Sequence, residues 1–134
     1  MSIHVLDASA MVAYLSSEPG EMVVTGLLTD PNATCYAHTI NLCEVYYILI
    51  RKMDVQRARQ GILTLFSDGA IERRDMAEHF WQRVGEIKAQ GGISLPDCFC
   101  IVLAQELGGE VVTSDHGEFD SLVPLGIVPI NFIR

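Results

Sequence analysis

The sequence has few positive charges, and nearly all of them lie in one part of the chain. It contains 9 Lys and Arg residues against 17 Asp and Glu residues, for a formal net charge of −8. Residues 1–50 contain no Lys or Arg, and every basic residue except Arg134 lies between residues 51 and 88. Proteins that bind nucleic acids normally meet the phosphate backbone with clustered Lys and Arg. The total charge therefore counts against a nucleic-acid binder, and only residues 51–88 could supply such a surface.

Long apolar runs and a cysteine framework are also missing. The longest apolar stretches, such as 98–104, fall well short of the roughly 18 residues that cross a membrane. Asp7 interrupts the first apolar run, which also lacks the basic start of a signal peptide. Cys98 and Cys100 are two residues apart in a predicted helix, so they face different directions and cannot pair. We therefore expect no membrane segment, and buried thiols in a reducing cytoplasm.

Apolar residues are abundant, at 49% of the 134 residues, whereas charged residues make up 19%. A chain of this composition has enough apolar surface to offset the entropy lost on folding. At this length one domain buries roughly two thirds of its unfolded surface. We expect a single domain spanning residues 1–134.

Short apolar runs alternate with longer segments of helical periodicity. The runs predict strands at 3–6, 34–37, 70–73, 110–113 and 127–130, with the last at a sheet edge because it contains Pro129. The predicted helices begin at or just after Asp7, Pro19, Thr39, Asp54, Asp75 and Pro96. Thr39, Asp54 and Asp75 are the predicted caps of their helices. Such alternation is typical of the α/β class, with a parallel sheet covered by helices on both faces.

Four acidic residues are candidates for chemistry. Asp7 and Asp115 follow predicted strands, where ligands bind in sheets of this kind. Glu44 lies in an apolar helix, and Asp97 precedes seven apolar residues, so both charges need a partner or a water-filled cleft. Each also has a structural alternative: a cap or turn residue for Asp7 and Asp115, the exposed stripe of a helix for Glu44, and a favourable helix dipole for Asp97.

Carboxylates that converge with no basic residue beside them in sequence repel one another and favour a bound cation. A set of oxygen ligands alone selects Mg²⁺ or Mn²⁺ over zinc or copper. A metal that keeps some of its waters in such a site is suited to phosphodiester hydrolysis.

The sequence resembles the PIN-domain ribonucleases, and in particular the VapC-type toxins of toxin–antitoxin pairs. The resemblance covers almost the whole chain and rests on four segments in the right order: 5–9 (VLDAS), 41–45 (NLCEV), 95–97 (LPD) and 112–119 (VTSDHGEF). It implies a three-layer α/β/α sandwich with a central, mainly parallel sheet. It also implies a type II toxin partnered by a cognate antitoxin and by a second copy of itself in a homodimer.

The resemblance further implies a metal-dependent endoribonuclease site that holds Mg²⁺ or Mn²⁺. The acids of this site would be Asp7, Glu44, Asp97 and Asp115. Its supporting residues would be Ser9, Asn41, Thr113 and Ser114, with Glu118 or Asp120 as a possible further acid.

The basic residues of the central stretch are the candidates to contact an RNA backbone. They are Arg51, Lys52, Arg57, Arg59, Arg73 and Arg74. The alternative interpretation is a solvated helix face.

Other classes that share single features fit less well. A haloacid-dehalogenase-type phosphatase needs a second Asp two residues after the first, where this chain has Ser9. A receiver domain needs a late lysine, and the only lysines are Lys52 and Lys88. Glycine patterns of phosphate loops and dinucleotide sites are absent. A non-catalytic PIN-fold interaction or helper domain, with the acids as caps, remains the alternative function.

Overall fold

A five-stranded sheet forms the centre of the protein in the computed structural model, which describes residues 1–134. Its strands are β1 (Ser2–Leu6), β2 (Ala33–His38), β3 (Ile71–Arg73), β4 (Glu110–Thr113) and β5 (Ile130–Phe132). The α-helices are α1 (Ala8–Leu15), α2 (Glu21–Thr29), α3 (Thr39–Lys52), α4 (Val55–Ser67), α5 (Glu78–Ala89), α6 (Leu95–Leu107) and α7 (His116–Phe119). A 3₁₀ helix, Asp120–Leu125, follows α7.

The strands lie in the order β3-β2-β1-β4-β5, and all four neighbouring pairs are parallel. The chain first builds outward from β1 to β3 and later returns to place β4 on the other side of β1. The strand order therefore reverses between β1 and β4, where Leu6 is in register with Val112. Parallel α/β sheets bind ligands beyond the carboxyl ends of the strands at such a reversal.

Two apolar clusters cover the two faces of the sheet. Leu6 packs with residues of α1, α2, α3 and α4, whereas the preceding Val5 packs with residues of α5 and α6. Successive side chains of a strand point to opposite faces, so adjacent residues of β1 enter different cores. These two helical layers around a parallel sheet confirm the predicted α/β/α sandwich.

The last strand begins three residues later than predicted, at Ile130 instead of 127. Pro129 has no N–H to give to the ladder, but its carbonyl accepts a hydrogen bond from the Val111 N–H at 2.9 Å. Pairing with β4 then continues from Ile130, which is in register with Val111. As expected from the proline, β5 is an edge strand.

The predicted cap of α3 was wrong. The helix is capped by His38, whose Nδ1 accepts a hydrogen bond from the Ile40 N–H at 3.1 Å. Thr39 instead donates its hydroxyl to the carboxylate of Glu72 at 2.8 Å. The side chain of Thr39 thus joins α3 to β3, a contact between distant parts of the chain that local sequence does not reveal.

The predicted cap of α5 was also wrong. Asp75 lies two residues before the observed N-cap, Ala77, and forms two hydrogen bonds of 2.9 Å with the guanidinium of Arg73. The ion pair holds the pKa of Asp75 below its usual value. A charged hydrogen bond is stronger than a neutral one, which explains why Asp75 pairs with Arg73 and leaves the helix without a side-chain cap.

The cysteines are unpaired, as expected. Cys35, Cys98 and Cys100 are buried, as expected. The expectation was wrong for Cys43, which is exposed because it lines the open groove between α3 and α4. None of the helices is long and apolar enough to cross a membrane.

The junction between α6 and β4 depends on close backbone packing at Gly109. A Cβ atom at this position would lie 2.5 Å from the backbone oxygen of Ile3. We expect Gly109→Ala to lower the free energy of unfolding by about 1–3 kcal/mol, because backbone of β1 would have to move. Gly85→Ala on the exposed face of α5 is the matched control, since a Cβ there meets nothing within 4 Å. Urea denaturation should show the control unchanged or stabilised, and equal midpoints for the two variants would contradict the prediction.

Candidate active site

Asp7 lies at the end of β1 and is 1% exposed. The hydroxyl of Thr113 donates to one of its carboxylate oxygens at 2.5 Å, and the hydroxyl of Ser9 donates to the other at 2.7 Å. The Ala10 N–H donates to the second oxygen at 2.9 Å, so Asp7 also caps α1. These donors hold the carboxylate in one orientation at the point where β1 meets β4.

Asp115 follows β4 and is tied to the same network. Its backbone N–H donates to the hydroxyl of Thr113 at 2.9 Å, and the Ser114 N–H donates to the hydroxyl of Ser9 at 2.9 Å. The two hydroxyls thus bridge the carboxyl ends of β1 and β4. Ser9 and Thr113 thus contact Asp7 through their hydroxyls, while Ser114 contributes its backbone N–H.

Asp97 lies in the first turn of α6, which is capped by Ser94. The Ser94 hydroxyl donates to Asp97 at 3.1 Å, while the Ser94 N–H approaches the carboxylate of Glu118 at 3.2 Å. Asp97, Asp115 and Glu118 can each place a carboxylate oxygen within 4.8 Å of the other two. The start of α6 and the loop after β4 therefore bring three acids close together.

Glu44 reaches the site from α3 and is partly buried. Asn41, one turn earlier, is fully buried and donates its amide N–H to the Pro96 carbonyl at 3.1 Å. This hydrogen bond ties α3 to the start of α6. The Asn41 Oδ1 atom is buried and has no hydrogen-bond donor, so it can accept a hydrogen bond from a bound water or ligand.

A cavity of about 310 Å³ collects the four acids that the sequence singled out. Asp7, Glu44, Asp97 and Asp115 all line it. The other lining residues are Ala8, Ser9, Val12, Glu18, Ile48, Lys52, Ser114 and Arg134.

Burial and mutual repulsion make these carboxylates hard to ionise. Burial, followed by the negative charges of Asp7, Glu118 and Glu44, raises the pKa of Asp97 to about 8. Burial also raises the pKa of Asp7 to about 6, although the hydrogen bond from Thr113 opposes the shift. The pKa of Glu44 is raised as well, mainly by burial, while the nearby amide of Asn41 acts in the opposite direction. The arrangement is unfavourable until a cation neutralises it.

The donor set suits a hard divalent cation. None of the four cavity acids forms an ion pair with Lys or Arg, and their oxygens are the ligands that Mg²⁺ and Mn²⁺ prefer. Asp97 and Asp115, with Glu118, are the closest group, and Asp7 is held rigidly beside them.

Several residues that the resemblance or the sequence suggested lie away from the cavity. Asp120 is exposed and pairs with His116 at 2.8 Å, so Glu118 is the further acid that meets the cluster. Of the six basic candidates only Lys52 lines the cavity. The others have their contacts elsewhere. Arg51 lies over the ring of Tyr47, Arg57 lies near Asp54, and Arg59 lines another groove. Arg73 pairs with Asp75, and Arg74 pairs with Glu72.

Glu18 and Arg134 line the cavity but were not predicted to do so. Glu18 lies in the turn between α1 and α2, and Arg134 follows β5. Both stand in segments without a periodic or motif signal. The only feature that distinguished Arg134 in the sequence was its distance from the other basic residues, which all lie between residues 51 and 88.

The chain belongs to the PIN domain family, whose model matches residues 4–122. All four cavity acids and the hydroxyls that bridge β1 and β4 fall within the matched region. The curated proteins include no sequence match to this chain.

Solved structures with the same fold include several toxin–antitoxin proteins. DNA-bound VapBC from Salmonella typhimurium aligns with a TM-score of 0.73 and 18% identity over 100% of both chains. VapBC2 from Rickettsia felis, bound to a DNA fragment from its promoter, aligns with a TM-score of 0.72 and 16% identity over 97% of this chain and 98% of that one. VapC20 from Mycobacterium tuberculosis, a toxin that cleaves the sarcin-ricin loop, aligns with a TM-score of 0.71 and 15% identity over 91% and 95%. At these identities the likeness concerns the fold.

The raised pKa of Asp97 predicts a stability that falls with pH in metal-free protein. Between its unfolded value near 3.8 and its folded value of about 8, the folded state binds more protons than the unfolded state, so the free energy of unfolding decreases as pH rises. We expect the thermal midpoint to drop from pH 5 to pH 8 in the presence of a chelator. Asp97→Asn should flatten this dependence and raise the midpoint at pH 8 by roughly 3 °C or more.

Glu86→Gln is the control for this measurement, because Glu86 is exposed on α5 and far from the cluster in sequence and contacts. Its pH profile should match that of the wild type. A midpoint for Asp97→Asn below that of the wild type at pH 8 would show that Asp97 mainly stabilises the start of α6.

Proposed function

We propose that this protein is a metal-dependent endoribonuclease that hydrolyses RNA phosphodiester bonds, and that it is the toxin component of a type II toxin–antitoxin system. The observation that carries the proposal is the convergence of Asp7, Glu44, Asp97 and Asp115 in one cavity of a PIN-domain chain, with no ion pair to Lys or Arg. A set of unpaired carboxylates of this kind is costly in a purely structural role. The same set of carboxylates is suited to bind a divalent cation, which can in turn bind a phosphate group.

Asp7, Asp97 and Asp115, with Glu118, would hold Mg²⁺ or Mn²⁺. When bound, the metal would lower the pKa of a coordinated water and stabilise negative charge on the attacked phosphate. Hydroxyl groups of Thr113 and Ser9 keep the Asp7 carboxylate from rotating, which preserves the geometry through the reaction.

Glu44 is the group that we assign to accept the proton of the attacking water. It is partly exposed at the cavity wall and lies outside the closest group of three acids. Its raised pKa brings its basicity nearer to neutral pH, where general bases are most effective. Attack of the water oxygen on phosphorus would break one P–O bond, and the departing oxygen would take up a proton from solvent.

Incubation of the purified protein with total RNA tests the activity directly. We expect cleavage with Mg²⁺ or Mn²⁺ and none with excess chelator. Asp97→Asn should reduce the rate by more than the roughly 10- to 100-fold that is lost when a metal ligand loses only its supporting partner. Glu86→Gln, prepared in the same way, should cleave at the rate of the wild type.

Two outcomes would favour a non-catalytic helper or interaction domain instead. One is the absence of metal-dependent cleavage by the wild type. The other is cleavage that persists in Asp97→Asn, which would indicate a contaminating nuclease. Mapping the product ends would identify the RNA that is cut.

An apolar groove between α3 and α4 is the surface that we assign to the antitoxin. Its volume is about 570 Å³, and its apolar side chains include Leu42, Tyr46, Ile62, Leu63 and Phe66. Several structures with this fold are VapBC complexes, which supports a protein partner of this kind. Exposed apolar side chains elsewhere, such as Trp81 at 48%, favour a homodimer. The four free cysteines support a location in the reducing cytoplasm.

Leu63→Asp tests the antitoxin surface, because Leu63 is 60% exposed at the groove and a charge there would be desolvated on binding. We expect at least a tenfold loss of affinity for the product of a small reading frame beside the gene, measured by calorimetry, with RNA cleavage retained. Leu125→Asp, at a site 64% exposed outside the groove, is the matched control. Equal affinities for the two variants would exclude the groove as the antitoxin surface.

Light scattering of the wild type tests the homodimer, and it should give the mass of a dimer.

A further inference from the structure

Two basic side chains stand at the wall of the acidic cavity and share one carboxylate. The Lys52 ammonium lies 2.8 Å from one oxygen of Glu18, and the Arg134 guanidinium lies 3.9 Å from the other. All three residues line the same cavity as the four acids. Of the nine Lys and Arg residues in the chain, only these two do so.

We propose that Lys52 and Arg134 form a phosphate subsite, which receives a backbone phosphodiester of the RNA next to the one that is cleaved. The inference rests on the proposed function. In the free protein the carboxylate of Glu18 occupies the subsite. Like a carboxylate, a phosphodiester has two oxygens that share one negative charge, so it can take the place of Glu18 between the two cations.

Two of the three parts of the chain that form the subsite, the turn with Glu18 and the segment with Arg134, are fixed relative to each other. Gly20 has a φ of 99°, and a Cβ there would lie 2.7 Å from the side chain of Ile133. The turn between α1 and α2 is therefore pressed against the residue before Arg134. Arg134 also donates to the Pro19 carbonyl at 3.1 Å, and its own carbonyl accepts from the His116 ring at 2.8 Å.

The backbone of this turn holds a conformation that side chains rarely adopt. Ser17 has a φ of 52° and is the only residue other than glycine with a positive φ. Such conformations cost energy and are retained where the surroundings require them, often at binding sites. Here the conformation precedes Glu18 directly and turns it toward Lys52 at the end of α3.

Accessibility and electrostatics both suit a polymeric anion. The side chains of Lys52 and Arg134 are 44% and 42% exposed, and that of Glu18 is 31% exposed. An acidic cavity repels RNA unless positive charge lies beside it, because phosphate carries the same sign as the four acids. The two cations place that charge at the cavity itself, and none of the other Lys and Arg residues lines it.

The competing explanation is a structural latch, in which the ion pairs of Glu18 with Lys52 and Arg134 serve only to hold these segments together. Exposed ion pairs contribute little to stability, about 0–1 kcal/mol, and would be expected anywhere on the surface. The two explanations differ in the effect of removing Glu18. A latch would be loosened by Glu18→Gln, whereas a phosphate subsite would lose its competing carboxylate and bind RNA more tightly.

The first test measures kcat and KM with an RNA that the wild type cleaves. Lys52→Met and Arg134→Met should each raise KM roughly fivefold or more, with kcat changed less than twofold. Lys52→Arg should keep the KM of the wild type, because the positive charge remains. Glu18→Gln should lower KM. Arg83→Met is the matched control, since Arg83 is 43% exposed and also pairs with one Glu.

The second test measures binding of a short single-stranded RNA in chelator, by fluorescence anisotropy at several salt concentrations. Each lost phosphate contact should reduce the slope of log affinity against log salt by about 0.7. Lys52→Met and Arg134→Met should show this reduction, and Arg83→Met should keep the slope of the wild type.

The outcomes separate this inference from the proposed function. If the wild type cleaves RNA but KM is unchanged in both Met variants, or Glu18→Gln raises KM, the subsite is wrong and the nuclease stands. If the wild type binds RNA with the predicted slopes but does not cleave it, the subsite stands and the nuclease is wrong. If it neither binds nor cleaves RNA, both are overturned.

Discussion

Repulsion among carboxylates at the carboxyl ends of β1 and β4 is the constraint on which the rest of the site depends. Asp7 is buried there, and every hydrogen bond that it accepts comes from Thr113, Ser9 or the first turn of α1. These donors offset part of the cost of burying a charge. They do not remove the cost for Asp97, whose pKa stays at about 8. The protein therefore holds the acids close together without neutralising their charge, so binding of a cation is strongly favoured.

The order of the strands explains why residues so far apart in sequence meet. Because β4 inserts beside β1, Thr113 reaches Asp7 across 106 positions. The two helical layers then supply one further acid each: Glu44 comes from α3, and Asp97 comes from α6. Asn41 joins these helices by donating to Pro96. Three acids also serve the fold, since Asp7 and Asp115 cap helices and Asp97 lies in the first turn of α6 beside its cap, Ser94. Structural and chemical roles thus coincide in the same side chains.

Charge and apolar surface are separated on the molecule. The acids occupy one cavity, with the cations Lys52 and Arg134 on its wall. The apolar groove is a separate surface, which α3 lines with residues such as Leu42 and Tyr46. A chain with a formal net charge of −8 can therefore still present positive charge where a phosphate would enter. One helix, α3, contributes to both surfaces, so a partner in the groove would contact the same helix that carries Glu44.

Local properties of the sequence were sufficient to predict the α/β class and the four acids of the cavity. Strand and helix periodicity, and carboxylates placed after strands or within apolar helices, are features of neighbouring residues. Tertiary structure alone decided that Glu118 and not Asp120 joins the cluster, and that Lys52 and Arg134 share Glu18. Each of these depends on the direction of a side chain once distant segments have packed. Periodicity reports which face of an element is buried, but hydrogen bonds and ion pairs form between whichever groups packing brings within about 3 to 4 Å.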